Sequence, residues 1–468
     1  MTRTWFVRLA FGGALLVGIT PGRAVAQGYS VNEHSACATG RAGTGVASPC
    51  ADGSAMVYNP AGLADLGKGR TVLAAGGTLI APSGDFTNDN TGLKSELDNK
   101  IYPVPTLYAA HGFTDRLAVG VGLFAPYGLT TDWPTTSEAR FQGYHSLIRN
   151  IYVQPTVAFK VNKYLSLGAG LDFNFGHVEL QQHLDLAPIP LPAPAPPGLT
   201  FSNLGIQPGT DFADAQLSGN GTSVGGHFGI IIKPMSKISL GVRYLTKQTV
   251  NYNDGTVAFT QINTGIILPQ GNPLQQPPGT PLDLILSQEF AAGAPLSNGP
   301  ASTTLTNPDQ WIFGVAVDPT DKLKVLFDVT LSNWSLFKEV KFDFANATTP
   351  DLTLPQDNVD VTTYRFGAQY AVSPKVELRA GYINHGAASP DNNVTANLPE
   401  GKRSELTAGV GFSLGTGWNV DAAYQYIDQA DRRGRTLPPE AFAPGTSQTN
   451  GLYSFHAHLF SASVSYAF

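Results

Sequence analysis

From about residue 70 to the C-terminus, apolar residues alternate with small or polar ones at a period of two. At the chain end Phe460, Ala462, Val464, Tyr466 and Phe468 alternate with Ser461, Ser463, Ser465 and Ala467. Leu165, Leu167, Ala169, Leu171, Phe173 and Phe175 alternate in the same way with Ser166, Gly168, Gly170, Asp172 and Asn174. The pattern recurs over residues 364–372, 376–382 and 418–426. Successive side chains of a strand face opposite sides, so each segment has one apolar face and one face of Gly, Ser, Thr and Asn. Segments of about ten residues suit strands tilted across a bilayer. Trp311, Trp334, Trp418 and Tyr466 stand at strand ends, where interfacial aromatic girdles belong.

The connections fall into two kinds. Short ones lie at 114–116, 162–164, 233–237, 319–322, 373–375 and 415–417. Between them come long ones at about 80–103, 126–148, 182–222, 250–307, 336–360, 385–403 and 429–455. Strict alternation of periplasmic turns with extracellular loops joins roughly 14 strands, an even number that returns the C-terminus to the periplasm. The spacing therefore predicts an all-β fold, a 14-stranded antiparallel transmembrane β-barrel over residues 70–468.

Composition separates this fold from a soluble β-sandwich. Only 14% of residues are charged, against about 25% in soluble domains, too few for many water-facing strands. A net charge of −6 argues against nucleic acid as a partner. After the N-terminus no apolar run reaches the ~18 residues of a membrane helix. Residues 1–26 have the form of a secretory signal peptide: Arg3 and Arg8, an apolar stretch over 9–19, then Ala24-Val25-Ala26. The mature chain is then exported, and Cys37 and Cys50, its two cysteines, are read as one disulfide. A loop of that size stabilises by roughly 3 kcal/mol. No Cys-x-x-Cys pair accompanies them, so no metal site and no cofactor is expected.

Residues 27–69 do not alternate. They contain Glu33-His34-Ser35-Ala36-Cys37-Ala38-Thr39-Gly40-Arg41-Ala42-Gly43 and then Tyr58-Asn59-Pro60-Ala61-Gly62-Leu63. Further on come Pro126-Tyr127-Gly128-Leu129, Ser332-Asn333-Trp334 and Leu398-Pro399-Glu400-Gly401-Lys402-Arg403. In this order they resemble the long-chain fatty acid outer-membrane transporter family (FadL/TodX-like). The resemblance implies a monomeric barrel in the outer membrane of a Gram-negative bacterium, plugged by residues 27–69 as an N-terminal hatch. Glu33, Arg41, Asn59, Pro60 and Ala61 are the hatch residues it singles out. The cargo implied is a hydrophobic small molecule, a fatty acid or hydrocarbon, taken up passively. Outer-membrane lipid would receive it, and the barrel-assembly machinery would recognise the last strand with Phe468. A barrel this wide otherwise leaves an aqueous lumen, which supports a plug independently.

Four groups of residues carry the site expectations. The third strand holds Gly120 and Gly122, followed by Leu123, Phe124 and Pro126. Family resemblance places a lateral opening there, beside Asn59–Ala61; alternatively the glycines make room for the hatch. By strand parity Arg243, Arg365 and Arg379 point into the lumen, either to meet a carboxylate head group or to neutralise Asp328, Glu377 or Asp421. Leu282, Ile285, Leu286 and Phe290 form an apolar stripe on a short helix, packed on its own loop or exposed as an outer ledge for the ligand. Ser413 in Gly-Phe-Ser-Leu-Gly lacks the helix that a nucleophile elbow needs, and His456 and His458 lack acidic partners in sequence. No catalytic residues are assigned. An outer-membrane phospholipase and a general porin are the alternatives, separated by lipid hydrolysis and by sugar permeability.

Overall fold

The computed structural model describes residues 28–434 and 450–468, so the leader with Ala24-Val25-Ala26 lies outside the described residues. One antiparallel sheet closes on itself as fourteen strands. They are β1 (Thr71–Asn88), β2 (Tyr102–Gly112), β3 (Leu117–Asp132), β4 (His145–Lys160), β5 (Leu165–Asp185) and β6 (Asp211–Met235). β7 (Ile238–Leu245, then Gln248–Gln261) and β8 (Gly299–Asn307, then Gln310–Val317) each contain a break. β9 (Leu323–Ser332), β10 (Val361–Ser373), β11 (Val376–His385), β12 (Arg403–Gly415), β13 (Trp418–Gly434) and β14 (Gly451–Ala467) complete the wall. β1 closes on β14 from Val72 opposite Ala467 to Asn88 opposite Gly451.

The two faces follow the alternation: Leu171, Phe175, Leu406 and Phe460 are exposed outward, while Asp172, Asn174, Arg365 and Ser461 are buried inside. Strand length departs from the ten residues expected, since β5 has 21 residues and β6 has 25. In the upper part of β5 the apolar residues Val178 and Leu180 take the parity that Asp172 and Asn174 hold below, so the alternation changes sides while the hydrogen-bonded ladder continues. The loop expected at 182–222 is thereby confined to 186–210.

That loop has a core of its own. Leu186, Leu191 and Phe201 bury against Leu282 and Leu286 of a short helix (Leu282–Leu286), with Ile285 and Phe290 packed beside them. The stripe is therefore not the exposed outer ledge allowed for above. The proline-rich loop covers it, and covering apolar surface is worth about 25 cal/mol per Å². Only Leu284, off the stripe, is left well exposed.

Residues 28–66 pack against inward-facing residues of the wall. They form two single-turn helices, α1 (Ala36–Thr39) and α2 (Ala55–Tyr58), and a 3-10 turn (Pro60–Asp65), and a disulfide ties Cys37 of α1 to Cys50 in the loop before α2. Their side chains and backbone bond to the wall on many sides. Arg41 Nη1 donates to Gln369 (2.8 Å), Gly45 N–H to Asp328 (2.9 Å) and Gln154 Nε2 to Met56 O (2.9 Å). Lys160 pairs with Asp65 (2.8 Å), which Lys233 also contacts. Inward-facing glycines allow this close approach. A Cβ at Gly229 would stand on Asn59 Oδ1, and one at Gly241 on the backbone of Val46.

Candidate functional site: an apolar pocket beside a break in the wall

Above the N-terminal segment lies a narrow pocket with about 100 Å³ of free space. Its walls come from Val178 and Leu180 on β5, Leu217 on β6, Ala301 and Leu305 on β8, and Phe342 and Leu354 above β9 and β10. Tyr29 forms part of its lining and is held edge-on by Trp334 (4.7 Å between centroids) and Phe337 (5.4 Å). Edge-to-face rings in this range add to the area they bury, so Tyr29 is firmly seated.

Beside the pocket the wall is incomplete. β2 and β3 are paired from Gly112 opposite Ala118 up to Leu107 opposite Leu123, and no further. β2 continues alongside β1 through Thr106 to Tyr102, whereas β3 stays with β4 through a bulge between Phe124 and Tyr127. A bulge bends its strand, and Pro126 lies within this one. Across the gap β2 carries Pro103 and Pro105, which tolerate an unpaired edge because they have no N–H to donate. The strands meet again above, where Tyr102 Oη donates to Asp132 (2.5 Å) and Asp98 N–H to the Asp132 carbonyl (2.9 Å). The result is a window framed on four sides.

A cavity of about 390 Å³ occupies the window and the lumen behind it. Its lining runs from Ala457 and Leu459 of β14 to Leu123 and the exposed Arg149. Tyr29, Leu129, Leu147 and Ile148 line both this cavity and the apolar pocket, so one thin partition separates them. On the barrel exterior Leu107, Val121 and Leu123 border a further apolar groove with Leu73 and Trp418.

The chain's own residues 29–31 occupy the free edge of β3. Val31 N–H donates to Pro126 O and Gly128 N–H to Tyr29 O, both at 2.9 Å. Gly28 N–H donates to the buried Glu400 carboxylate (2.9 Å), which also accepts from the N–H groups of Ala388 (3.0 Å) and Ser389 (2.9 Å). Burial holds the His34 imidazole down to about 3, so it is neutral at ordinary pH. Glu400→Ala would strand three buried N–H groups, each costing about 1–3 kcal/mol. Amide exchange at residues 29–32 should then accelerate at least about tenfold while β12 and β13 stay protected. Unchanged exchange at 29–32 would show that Glu400 does not hold this segment.

Residues 18–468 match the model of a family described as outer membrane protein transport protein (OMPP1/FadL/TodX). The chain belongs to this family. It is 23% identical to the long-chain fatty acid transport protein of Escherichia coli O6:H1, over 100% of this chain and 99% of that one. It is also 23% identical to outer membrane protein P1 of Haemophilus influenzae, over 96% and 97%. In fold it is similar to a Pseudomonas aeruginosa FadL homologue (TM-score 0.73, 20% identity, 94% and 99% covered). The Pseudomonas putida toluene transporter TodX is likewise similar (TM-score 0.66, 17% identity, 94% and 99% covered). Membership places this family member in the outer membrane of a Gram-negative bacterium.

Within this OMPP1/FadL/TodX member, the residues expected at the site are distributed differently from the expectation. Gly120 and Gly122 are not at the opening: they remain paired with Ala110 and Tyr108, and Met56 packs where their side chains would be. The wall parts only after Leu123, with Phe124 and Pro126 on its β3 side. Asn59 is anchored on the carbonyls of Val46 (2.7 Å), Ile230 (3.0 Å) and Val242 (3.3 Å), and Pro60 and Ala61 close on Gly168. Residues 28–33, not Asn59–Ala61, adjoin the opening. Glu33 accepts from Gln425 (3.0 Å).

The three arginines all have protein partners. Arg379 bonds Asp421 (2.5 Å) and Glu377 (2.7 Å), and Arg365 donates to Ala42 O (3.0 Å). Arg243 Nε donates to His227 (2.6 Å), whose other nitrogen bonds Gln154 (2.8 Å). Its guanidinium also reaches Gln310 (3.2 Å), and Gln310 in turn reaches Ser30 (3.2 Å). Ser413 sits in β12 opposite Asn419, and His458 bonds Tyr424 (2.7 Å). Tyr29, Pro103, Pro105 and Glu400 were not anticipated. A proline pair inside a strand pattern was the available signal for an open edge.

Proposed function

We propose that this protein carries hydrophobic molecules across the outer membrane without an energy source, with residues 28–66 as its hatch. The molecule is captured in the apolar pocket, passes Tyr29, and leaves sideways through the window between β2 and β3 into membrane lipid. The observation that carries this reading is the partition shared by pocket and window cavity. Exposing a hydrocarbon chain to periplasmic water costs about 0.8 kcal/mol per CH₂, so a sideways exit avoids the largest barrier. A downward exit would instead break the Asp65–Lys160 pair, the Asn59 anchors and the Asp328 contacts together. The names of its relatives, a long-chain fatty acid transport protein and a toluene transporter, are consistent with acyl chains or hydrocarbons as cargo.

The test is uptake by a Gram-negative host lacking its own transporters of this kind. Expression should raise entry of a long alkane or fatty acid and leave entry of a small sugar unchanged. Equal entry of cargo with and without the protein would refute the reading, and raised sugar entry would favour a general porin.

A further inference from the structure

The pocket discriminates by charge as well as by shape. Among the described residues its lining contains no lysine, arginine or histidine. Its hydrogen-bonding side chains are neutral, among them Ser146, Thr303, Tyr252, Gln356 and Asn397, with one exception. That exception is an acid, Glu179, whose oxygens are taken by His177 (2.8 Å) and His145 (3.2 Å). The arginines that parity turns inward bond to protein partners and do not line the pocket. Arg403 lines the window cavity instead, where Gln429 accepts from it (3.1 Å).

We infer, on the transport reading above, that the cargo bound in this pocket is uncharged: a hydrocarbon, alcohol, ketone or protonated acid, with the carboxylate anion excluded. An ionised carboxylate taken from water into an apolar cavity needs a cation or several N–H donors, and otherwise sheds its charge by taking up a proton. Among the described residues the lining provides no cation, and the one carboxylate in it, Glu179, is already engaged by His177 and His145. A chain of given length gains the same burial whichever head it carries, so the head group alone decides between an alcohol and its acid. A long-chain acid would then enter the pocket protonated, or with its head outside it.

Displacement of the neutral dye N-phenyl-naphthylamine from the full mature protein in detergent tests this, with dodecanol and dodecanoate as competitors. At about pH 8 the acid is ionised, and dodecanol should displace the dye at a concentration at least roughly tenfold lower. Dodecanoate should gain on dodecanol as the pH falls toward the acid's own pKa. An Ala301→Trp variant, whose larger side chain enters the pocket, should lose the preference together with the binding. Dodecanoate competing equally well or better at high pH would overturn the inference, and so would a preference that persists in Ala301→Trp. Failure of the transport reading has a separate signature: dodecanol entering protein-bearing and empty vesicles at equal rates.

Discussion

Closing the window abolishes transport and leaves ligand binding intact: this is the expected behaviour of a variant lacking Pro126 and carrying Pro103→Thr and Pro105→Thr. The bulge places Ala125 and Pro126 of β3 against a single partner position, Ile151. Removing one residue lets β3 run straight, and threonines return the two N–H donors missing from the facing edge of β2. The ladder that stops at Leu107 and Leu123 could then continue upward and expel residues 29–31 from the edge they occupy. Uptake of hydrophobic cargo should fall at least about tenfold, toward the level of cells without the protein. The pocket loses its Tyr29 face in this variant but keeps the walls from Val178, Leu180, Leu217, Ala301 and Leu305, so the purified variant should still bind the dye. Wild-type uptake through a wall shown to be sealed would mean that the hatch opens downward.

Filling the pocket has the opposite signature, with loss of binding and transport together. Ala301 lies on the inward face of β8 in the pocket lining. An indole there displaces the volume of about four CH₂ groups of cargo, a loss of about 3 kcal/mol at 0.8 kcal/mol each. Affinity should drop on the order of 100-fold, and uptake at low cargo concentration should follow it. Barrel assembly, read as the heat-dependent shift in gel mobility, should be unaffected because the ladder partners of Ala301 are unchanged. Wild-type binding in Ala301→Trp would place the capture site elsewhere, with the window cavity as the remaining large space.

The barrel was legible in the sequence because its alternation is imposed by two different solvents. Strand count followed from the alternation of turns and loops, and the turns at 114–116 and 162–164 fall between the strands that the structure shows. Above the membrane that constraint ends and on β5 the apolar positions change sides, Val178 and Leu180 taking the parity of Asp172 and Asn174, so the extensions did not read as continued membrane strands. The inward glycines were visible as a face. Their function in admitting the N-terminal segment was read only as an alternative for Gly120 and Gly122, where Met56 packs; for the others it depends on contacts far apart in the chain, such as Asn59 with Ile230. Of the five β3 residues expected at the opening, Leu123, Phe124 and Pro126 lie at the break and Gly120 and Gly122 lie below it, while a second local signal lay in Pro103 and Pro105 on the neighbouring strand. Glu400 sits in one of the motifs shared with the family, yet its bonds to Gly28 and Ala388 come from tertiary structure alone. Parity turned Arg243, Arg365 and Arg379 inward, and two of the acids named as possible partners, Glu377 and Asp421, do pair with Arg379; the Ala42 carbonyl at Arg365 and His227 at Arg243 left no pattern in the sequence.

The central claim, sideways release, is tested most directly by where the cargo first arrives. Vesicles with a lipopolysaccharide outer leaflet and the reconstituted protein would carry either a brominated lipid quencher in the bilayer or a soluble quencher in the lumen. A neutral fluorescent hydrophobe is then added outside. Sideways release predicts that the protein accelerates quenching in the bilayer first, that quenching in the lumen follows later, and that the sealed-window variant loses the acceleration. Protein-dependent quenching in the lumen ahead of the bilayer, at a rate unchanged in that variant, would contradict it.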